Sequence, residues 1–196
     1  MRAAGFDPSI MVSSVDETAV LTSALLENPS LTPAQQVQVL ARAKAQDVAA
    51  QAGPALVLGC DSMLELDGQT LGKPQGPEDA FRRIRQQAGR QAILHTGHCL
   101  INTGPNSAGH KTQAQATASA LVRFGSMSDQ EISAYIATGE PLNVAGAFTI
   151  DGVGGPFIES IDGDPHAVVG VSLPLLRHLL AQLGVSVMEL WRPGLL

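Results

Sequence analysis

The sequence predicts an α/β fold in which a mixed β-sheet is flanked by helices. Apolar runs of strand length alternate along the chain with segments of helical periodicity, and turn residues separate the two kinds of segment. A hairpin signal, Asp67-Gly68, lies between two strand-like runs. The 196 residues are 44% hydrophobic, which is enough for one sizeable core or for two lobes.

Four helices have clear start and stop signals. Each begins at a capping residue or at a proline suited to the first helical position, and three of the four end at a glycine. Ser128 and Glu131 form the capping-box pattern. The four predicted helices run from Thr32-Pro33 through Ala52, from Pro77 with Gly89 as terminator, from Ser128 until Gly139 ends it, and from Pro174 to Leu183, ended by Gly184.

Apolar and β-branched residues predict the strands between these helices. The polar stretch Asn102–Lys111 consists of turn formers, and we interpret it as a long hairpin loop. The sequence therefore predicts a single domain over residues 1–196. The predicted strands are Ala55–Gly59, the two arms around Asp67-Gly68, Ala92–Ile101, Ser119–Phe124 and Val185–Leu190.

Composition excludes several classes of protein. The net charge is −6, with 12 basic and 18 acidic residues and no basic cluster, so a nucleic-acid-binding protein is not expected. No apolar run approaches the roughly 18 residues of a membrane span. Met1–Ser9 lacks the apolar core of a signal peptide, and Cys60 and Cys99 are expected to be buried thiols in a reducing compartment. A soluble cytoplasmic protein is therefore expected.

Three side chains stand out as candidates for chemistry. Asp61 ends an apolar strand, where α/β folds place ligand-handling groups, although a turn-initiating aspartate explains it equally well. Glu17 completes a Ser14-x-x-Glu capping box, which needs no function. Lys44 lies on the apolar stripe of its helix, so it either extends to solvent or points its charge into a cleft.

Other motifs carry less information. Lys73 follows Gly72, but the pattern around it is not a Walker A motif because Pro74 replaces the required Ser or Thr. His95 and His98 are three residues apart on a predicted strand and therefore face opposite sides of the sheet. A zinc site formed by both histidines is not expected.

About seven short segments occur in an order and spacing that together resemble the Maf family of nucleotide pyrophosphatases. The resemblance covers roughly residues 1 to 180, and its specificity comes from the ordered set rather than from any one piece. The segments are Ser13–Glu17, Ala43-Lys44-Ala45, Leu58–Ser62, Leu66–Gly68, Gly72–Pro74, His95–Gly97, and a long run from Tyr135 through Glu140-Pro141 and Gly163-Asp164 to Leu176.

This resemblance implies a Maf/ITPase-like fold, with an elongated mixed sheet and two lobes around a central cleft. It implies hydrolysis of a nucleoside triphosphate to the monophosphate and pyrophosphate, and a divalent cation, Mg²⁺ or Mn²⁺. The substrates expected by resemblance are dTTP and UTP, or modified nucleotides removed in a house-cleaning role. The alternative is a non-catalytic nucleotide-binding regulator of septum formation.

The resemblance also assigns roles to individual residues. Asp61 matches the general base and a cation ligand, and Glu17 matches a second cation-binding carboxylate. Lys44 and Lys73 match phosphate-contacting lysines. The remaining substrate contacts implied by resemblance are Ser62 and Asp151, at positions linked to the choice of base, and Glu140.

The chain departs from the family pattern in two respects. Family members begin with a strand followed by Ser-x-Ser-Pro-Arg-Arg, and this motif does not occur here. We expect its absence to lower activity and stability, and to leave a sheet edge that self-association into a homodimer would cover. In addition, Asn143-Val144 replaces an acidic-Lys pair, and Asp151 replaces a more usual Gln. Because the carboxylate of Asp151 can only accept hydrogen bonds, it would instead favour a base that presents donors, so the expectation of dTTP and UTP rests on the family resemblance alone.

Overall fold

The computed structural model describes residues 1–104 and 112–192, and the chain folds into two compact units. The predicted loop Asn102–Lys111 lies mostly outside the described residues. The two units agree with the two lobes that the family resemblance implies, while the assignment of all 196 residues to one domain stays a prediction. The first unit comprises Met1–Asp61, Gly97–Thr117 and Leu173–Leu196, and the second comprises Ser62–Thr96 and Ala118–Ser172.

Helices and strands alternate along the chain, which confirms the predicted α/β class. The helices are α1 (Glu17–Glu27), α2 (Pro33–Ala49), α3 (Pro77–Gln87), α4 (Asp129–Ala137), α5 (Pro165–Val169) and α6 (Leu173–Gln182). The strands are β1 (Leu56–Leu66), β2 (Gln69–Leu71), β3 (Gln91–Asn102), β4 (Gln113–Phe124) and β5 (Ile158–Asp162). Short 3₁₀ turns span Arg2–Ala4, Glu140–Asn143, Ala145–Ala147, Gly155–Phe157 and Val187–Leu190.

The five strands form one sheet in the order β2-β1-β3-β4-β5. The sheet is antiparallel rather than mixed as predicted, with Leu66 opposite Gln69 and Leu121 opposite Asp162. The hairpin turn at Asp67 and Gly68 reverses the chain, so β2 runs opposite to β1. Asp67 and Gly68 both have positive φ, 53° and 76°, which is the conformation that a tight two-residue hairpin requires.

The capping signals placed three predicted helices well. Thr32 caps α2 and Ser128 caps α4, each in a complete capping box, and α3 begins at Pro77. Two other predictions are wrong. The segment predicted as the strand Val185–Leu190 forms a 3₁₀ turn over Val187–Leu190, because Ser186 caps it together with Glu189.

The second wrong prediction concerns the end of β1. The strand was expected to stop at Gly59, with Asp61 just beyond it, but it continues to Leu66. Met63, Leu64 and Leu66 are buried, so the apolar run continues within the sheet past the polar pair Asp61 and Ser62. Asp61 is therefore a mid-strand residue whose backbone the sheet holds.

Helix α2 approaches the sheet of the first unit unusually closely. A Cβ atom at Gly59 or Gly97 would collide with the backbone of α2, so both positions require glycine. Beside them, Cys99 packs against Ala41 and Ala45, all three of them fully buried. Small residues on both sides thus bring the backbone of α2 close to β1 and β3.

The second unit has its own apolar core. Leu64, Leu94, Val122 and Phe148 belong to one buried cluster, in which Phe124 meets Phe148 edge to face at 4.9 Å between ring centroids. A second cluster joins α3 to α4. Its buried members are Ala80, Ile84, Ile132, Tyr135 and Ala147.

Candidate active site

A lysine bridges two carboxylates in the first unit. Nζ of Lys44 lies 2.7 Å from Oε1 of Glu17 and 2.6 Å from Oδ1 of Asp61. The side chain of Asp61 is 9% exposed and that of Lys44 is 20% exposed, whereas Glu17 is 46% exposed. Of the alternatives left open by the sequence, Lys44 therefore points its charge inward to two acidic partners.

Each member of this group, which we call the Glu17–Lys44–Asp61 site, comes from a different element. Lys44 lies on α2, one turn from the buried Leu40 and Ala41. Asp61 lies on β1, two residues after Gly59, where α2 approaches the strand most closely. Because side chains alternate along a strand, Gly59 and Asp61 share the face that α2 covers.

Glu17 is positioned differently from the sequence prediction. The residue that caps α1 is Asp16, whose carboxylate accepts from the backbone N–H of Ala19 at 2.9 Å, so Glu17 is the first helical residue. Ser14 instead donates its backbone N–H to Asp47 of α2 at 2.8 Å. The predicted Ser14–Glu17 capping box is therefore wrong, and the carboxylate of Glu17 reaches Lys44.

The local electrostatics keep Lys44 charged. Burial lowers the pKa of Lys44, but its hydrogen bonds to Asp61 and Glu17 and the charges of both carboxylates outweigh burial, so the pKa is raised. The neighbouring thiol of Cys60 is not a nucleophile, because burial raises its pKa to about 12. The reactive groups at this site are thus carboxylates and an ammonium.

A divalent cation fits the donor set of this site only with help from further ligands. Carboxylate oxygens of Glu17 and Asp61 converge on one point, and Mg²⁺ is usually held by one or two carboxylates together with substrate phosphates and water. In residues 1–104 and 112–192, no three His, Cys, Asp or Glu side chains come together as a metal-binding group. The two carboxylates can therefore hold a cation that brings other oxygen ligands with it.

Both histidines singled out in the sequence lie in the sheet. In the second unit, His95 contacts Ser119 through Nδ1 at 2.7 Å and Glu65 through Nε2 at 2.9 Å. In the first unit, His98 is fully buried, and its backbone carbonyl accepts from Gln38 at 3.0 Å. Both ring nitrogens of His95 are thus engaged by protein side chains.

Ser62 follows Asp61 but points to the opposite face of β1, because neighbouring strand residues alternate. Its hydroxyl lies 2.8 Å from that of Thr96, which in turn donates to the carbonyl of Ala167 at 2.8 Å. Since the hydrogen of Thr96 goes to Ala167, Ser62 donates to Thr96. The hydroxyl of Ser62 is thus engaged by partners within the second unit.

Glu140 is the centre of a hydrogen-bond cluster in the second unit. It accepts from the backbone N–H groups of Val153 and Gly154, both at 2.9 Å, and from the hydroxyls of Tyr135 and Thr149. The hydrogen bond from Thr149 and those from the backbone hold the pKa of Glu140 at about 2. We call this group the Glu140 cluster; it fixes the loop that carries Asp151.

Lys73 and Asp151 have exposed side chains on the second unit. The residue before Lys73 is held in place, since the carbonyl of Gly72 accepts from Arg83 at 2.8 Å and from the backbone of Gly146 at 3.1 Å. Arg83 is itself paired with Asp79 at 2.7 Å. Sequence analysis missed Arg83 and Asp79, although their i, i+4 spacing on α3 is the signal of such a pair.

Among the described helices, none has the length and apolarity needed to cross a bilayer. A family model described as "Maf-like protein" matches residues 1–183.

Several curated proteins are similar to this chain over almost its whole length. A nucleoside triphosphate pyrophosphatase of Streptomyces coelicolor is 52% identical over 196 residues, covering 99% of this chain and 89% of that protein. One of Nocardia farcinica is 50% identical, covering 98% and 90%. One of Salinispora tropica is 49% identical, covering 99% and 82%.

Proposed function

The chain belongs to the Maf-like protein family, and on this premise we propose that it is a nucleoside triphosphate pyrophosphatase. The reaction is hydrolysis of a phosphoric anhydride, giving a nucleoside monophosphate and pyrophosphate. The observation that carries the proposal is the convergence of Glu17 and Asp61 on Lys44. The names of relatives about half identical to this chain support the same activity.

Asp61 is the group that we propose to act on the attacking water. A carboxylate held by a sheet strand can orient a water molecule and take its proton as the oxygen attacks the α-phosphorus. The bond between the α-phosphorus and the bridging oxygen then breaks, and its electron pair leaves with pyrophosphate. The ammonium of Lys44, 2.6 Å away, holds the carboxylate of Asp61 in place for this role.

Lys44 and Glu17 have supporting roles in the proposal. The ammonium of Lys44 has three donors, so it can contact a phosphate oxygen as well as a carboxylate. Glu17 and Asp61 are the residues that would hold a divalent cation, Mg²⁺ or Mn²⁺. When bound, such a cation neutralises charge on the phosphate oxygens.

The other substrate contacts remain proposals from family resemblance. Lys73 and Asp151 are exposed on braced loops, which is compatible with binding phosphate and base. For Glu140, four hydrogen bonds from the protein favour a structural role over a substrate contact. For Ser62, the bond to Thr96 favours the same reading.

Substrate identity, location and assembly are also part of the proposal. We propose pyrimidine triphosphates, dTTP and UTP, with modified nucleotides as further substrates, and a cytoplasmic protein that forms a homodimer. No relative named above carries a name that supports the non-catalytic septum regulator.

The proposal is tested by replacing Asp61 with Asn, which keeps the shape of the side chain and removes its charge. Pyrophosphate release from dTTP and UTP should fall by about two to four orders of magnitude, while the circular dichroism spectrum stays unchanged. Asp129→Asn is the matched control, because Asp129 is an exposed carboxylate of the second unit. Undiminished release by the Asp61 variant contradicts the proposed function.

A further inference from the structure

The Glu17–Lys44–Asp61 site places a cationic side chain where two carboxylates meet. Nζ of Lys44 is within 2.7 Å of an oxygen from each of them. A divalent cation bound by both carboxylates needs oxygens from the same two groups, at about 2.1 Å from the ion for Mg²⁺. The ammonium of Lys44 and a divalent cation therefore compete for the same carboxylate oxygens.

The two cations repel each other strongly at such distances. A single charge and a double charge about 4 Å apart interact twice as strongly as two single charges, and the site is partly shielded from water. Asp61 is 9% exposed and Lys44 is 20% exposed, so solvent screens them incompletely. Binding of a bare divalent cation thus requires Lys44 to give up both carboxylates, and the ion itself brings no anionic partner in exchange.

A triphosphate changes this balance in two ways. Its oxygens supply the ligands that the site lacks, since no third acidic or histidine side chain among the described residues joins Glu17 and Asp61 in a metal-binding group. The same oxygens also offer Lys44 a new anionic partner, and its long flexible side chain can reach a different acceptor without moving α2.

We propose that Lys44 excludes a bare divalent cation from Glu17 and Asp61, so that the cation enters only as its complex with the nucleoside triphosphate. The inference rests on the proposed function, because it names the metal–triphosphate complex as the species that the site accepts. Lys44 acts as a stand-in cation that moves from carboxylate to phosphate when this complex arrives.

Manganese binding to the protein without nucleotide tests this inference independently of turnover. The signal of free Mn²⁺ in electron paramagnetic resonance measures how much of the ion each variant removes from solution. We expect wild type to bind weakly, and Lys44→Gln to bind about tenfold or more tightly because the repelling charge is gone. Lys44→Arg keeps the charge and should behave as wild type.

Two controls tie the effect to this site. Arg42→Gln removes an exposed charge from the same helix and should leave manganese affinity within about twofold of wild type. The double variant Glu17→Gln, Lys44→Gln should not show the higher manganese affinity of Lys44→Gln, because it lacks one of the two carboxylates proposed to hold the ion. Adding α,β-imido-dUTP, which has no hydrolysable bond between its α- and β-phosphates, should raise manganese binding by wild type by about tenfold or more.

The inference is overturned if Lys44→Gln binds manganese no more tightly than wild type, or if wild type alone binds it as tightly as with the analogue. Circular dichroism tests whether each variant is folded. If Lys44→Gln does not fold, Lys44→Met serves as a second substitution. Pyrophosphate release by wild type separates the two proposals. If wild type releases pyrophosphate but Lys44→Gln shows no gain in manganese affinity, only the inference is rejected. If Lys44→Gln gains manganese affinity but wild type releases no pyrophosphate, the proposed function is rejected.

Discussion

The two units each contain a group of hydrogen bonds centred on carboxylates, but the partners differ in kind. In the Glu17–Lys44–Asp61 site, two carboxylates share one flexible side chain. In the Glu140 cluster, one carboxylate accepts from two backbone N–H groups and two hydroxyls. Backbone donors cannot leave without unfolding a loop, whereas an ammonium on a long chain can change partner. The comparison separates a carboxylate available for chemistry from one that holds structure.

After Asp61→Asn, replacing Lys44 with Met is the change expected to alter this comparison most. It removes the ammonium and keeps most of the apolar stem, so the fold should remain while kcat/KM for pyrophosphate release falls by about 100-fold. Lys44→Arg should lose less, because it keeps the charge with a different shape. Arg42→Gln on the same helix serves as the control. Wild-type turnover by the Lys44→Met variant would contradict the proposed catalytic role of the Glu17–Lys44–Asp61 site.

The preference for one base over another tests whether Asp151 of the second unit contacts the substrate. Family resemblance predicts dTTP and UTP, whereas the carboxylate of Asp151, in place of a more usual Gln, can only accept hydrogen bonds and favours any base that presents donors, adenine and guanine included. We expect kcat/KM for dTTP and UTP to be at least about tenfold above that for purine triphosphates, and Asp151→Gln to widen that difference. A panel of standard and modified triphosphates measures it. A purine triphosphate turned over fastest would refute the expected preference.

Replacing Glu140 with Gln should affect stability more than catalysis. The amide nitrogen faces donors that it cannot satisfy, so the free energy of unfolding should fall by about 1–3 kcal/mol while kcat stays within about threefold of wild type. Urea denaturation and the pyrophosphate assay measure the two effects. Asp67→Asn at the hairpin is the control, because Asn also tolerates the positive φ of that position and the ion pair that it loses with Arg90 is exposed and therefore weak.

The same variant has a defined pH dependence. The pKa of Glu140 is lowered from 4.5 to about 2, so the ionised carboxylate stabilises the fold fully above about pH 4.5. This stabilisation is lost as the pH falls from about 4.5 toward about 2. The difference in stability between wild type and Glu140→Gln should therefore shrink over that range, and a constant difference would show that the charge does not matter.

Local signals explain which parts of the fold the sequence could predict. Thr32 and Ser128 cap helices within a few residues of themselves, and Asp67-Gly68 forms a hairpin from its own backbone preferences. Where the competing partner is distant in the chain, prediction failed. Ser14 has the spacing of a capping box with Glu17 but binds Asp47, 33 residues away.

In the candidate site, too, features set by local sequence could be predicted and contacts between distant residues could not. The apolar stripe of α2 singled out Lys44 but left open whether its charge reaches solvent or a cleft, and family resemblance pointed to Glu17 and Asp61. Neither could show that one ammonium joins both carboxylates, since that contact depends on how closely α2 approaches β1 at Gly59. The sequence also could not predict the four hydrogen-bond partners of Glu140, because two of them are backbone N–H groups that almost any residue supplies.

The most direct test of the central claim is hydrolysis of dTTP or UTP in water enriched in ¹⁸O, with the products analysed by mass spectrometry. Attack on the α-phosphorus, the reaction proposed for Asp61, puts one ¹⁸O atom into the nucleoside monophosphate and none into pyrophosphate. Label in pyrophosphate, or release of inorganic phosphate with a nucleoside diphosphate, would contradict the account, since water would then have attacked a different phosphorus.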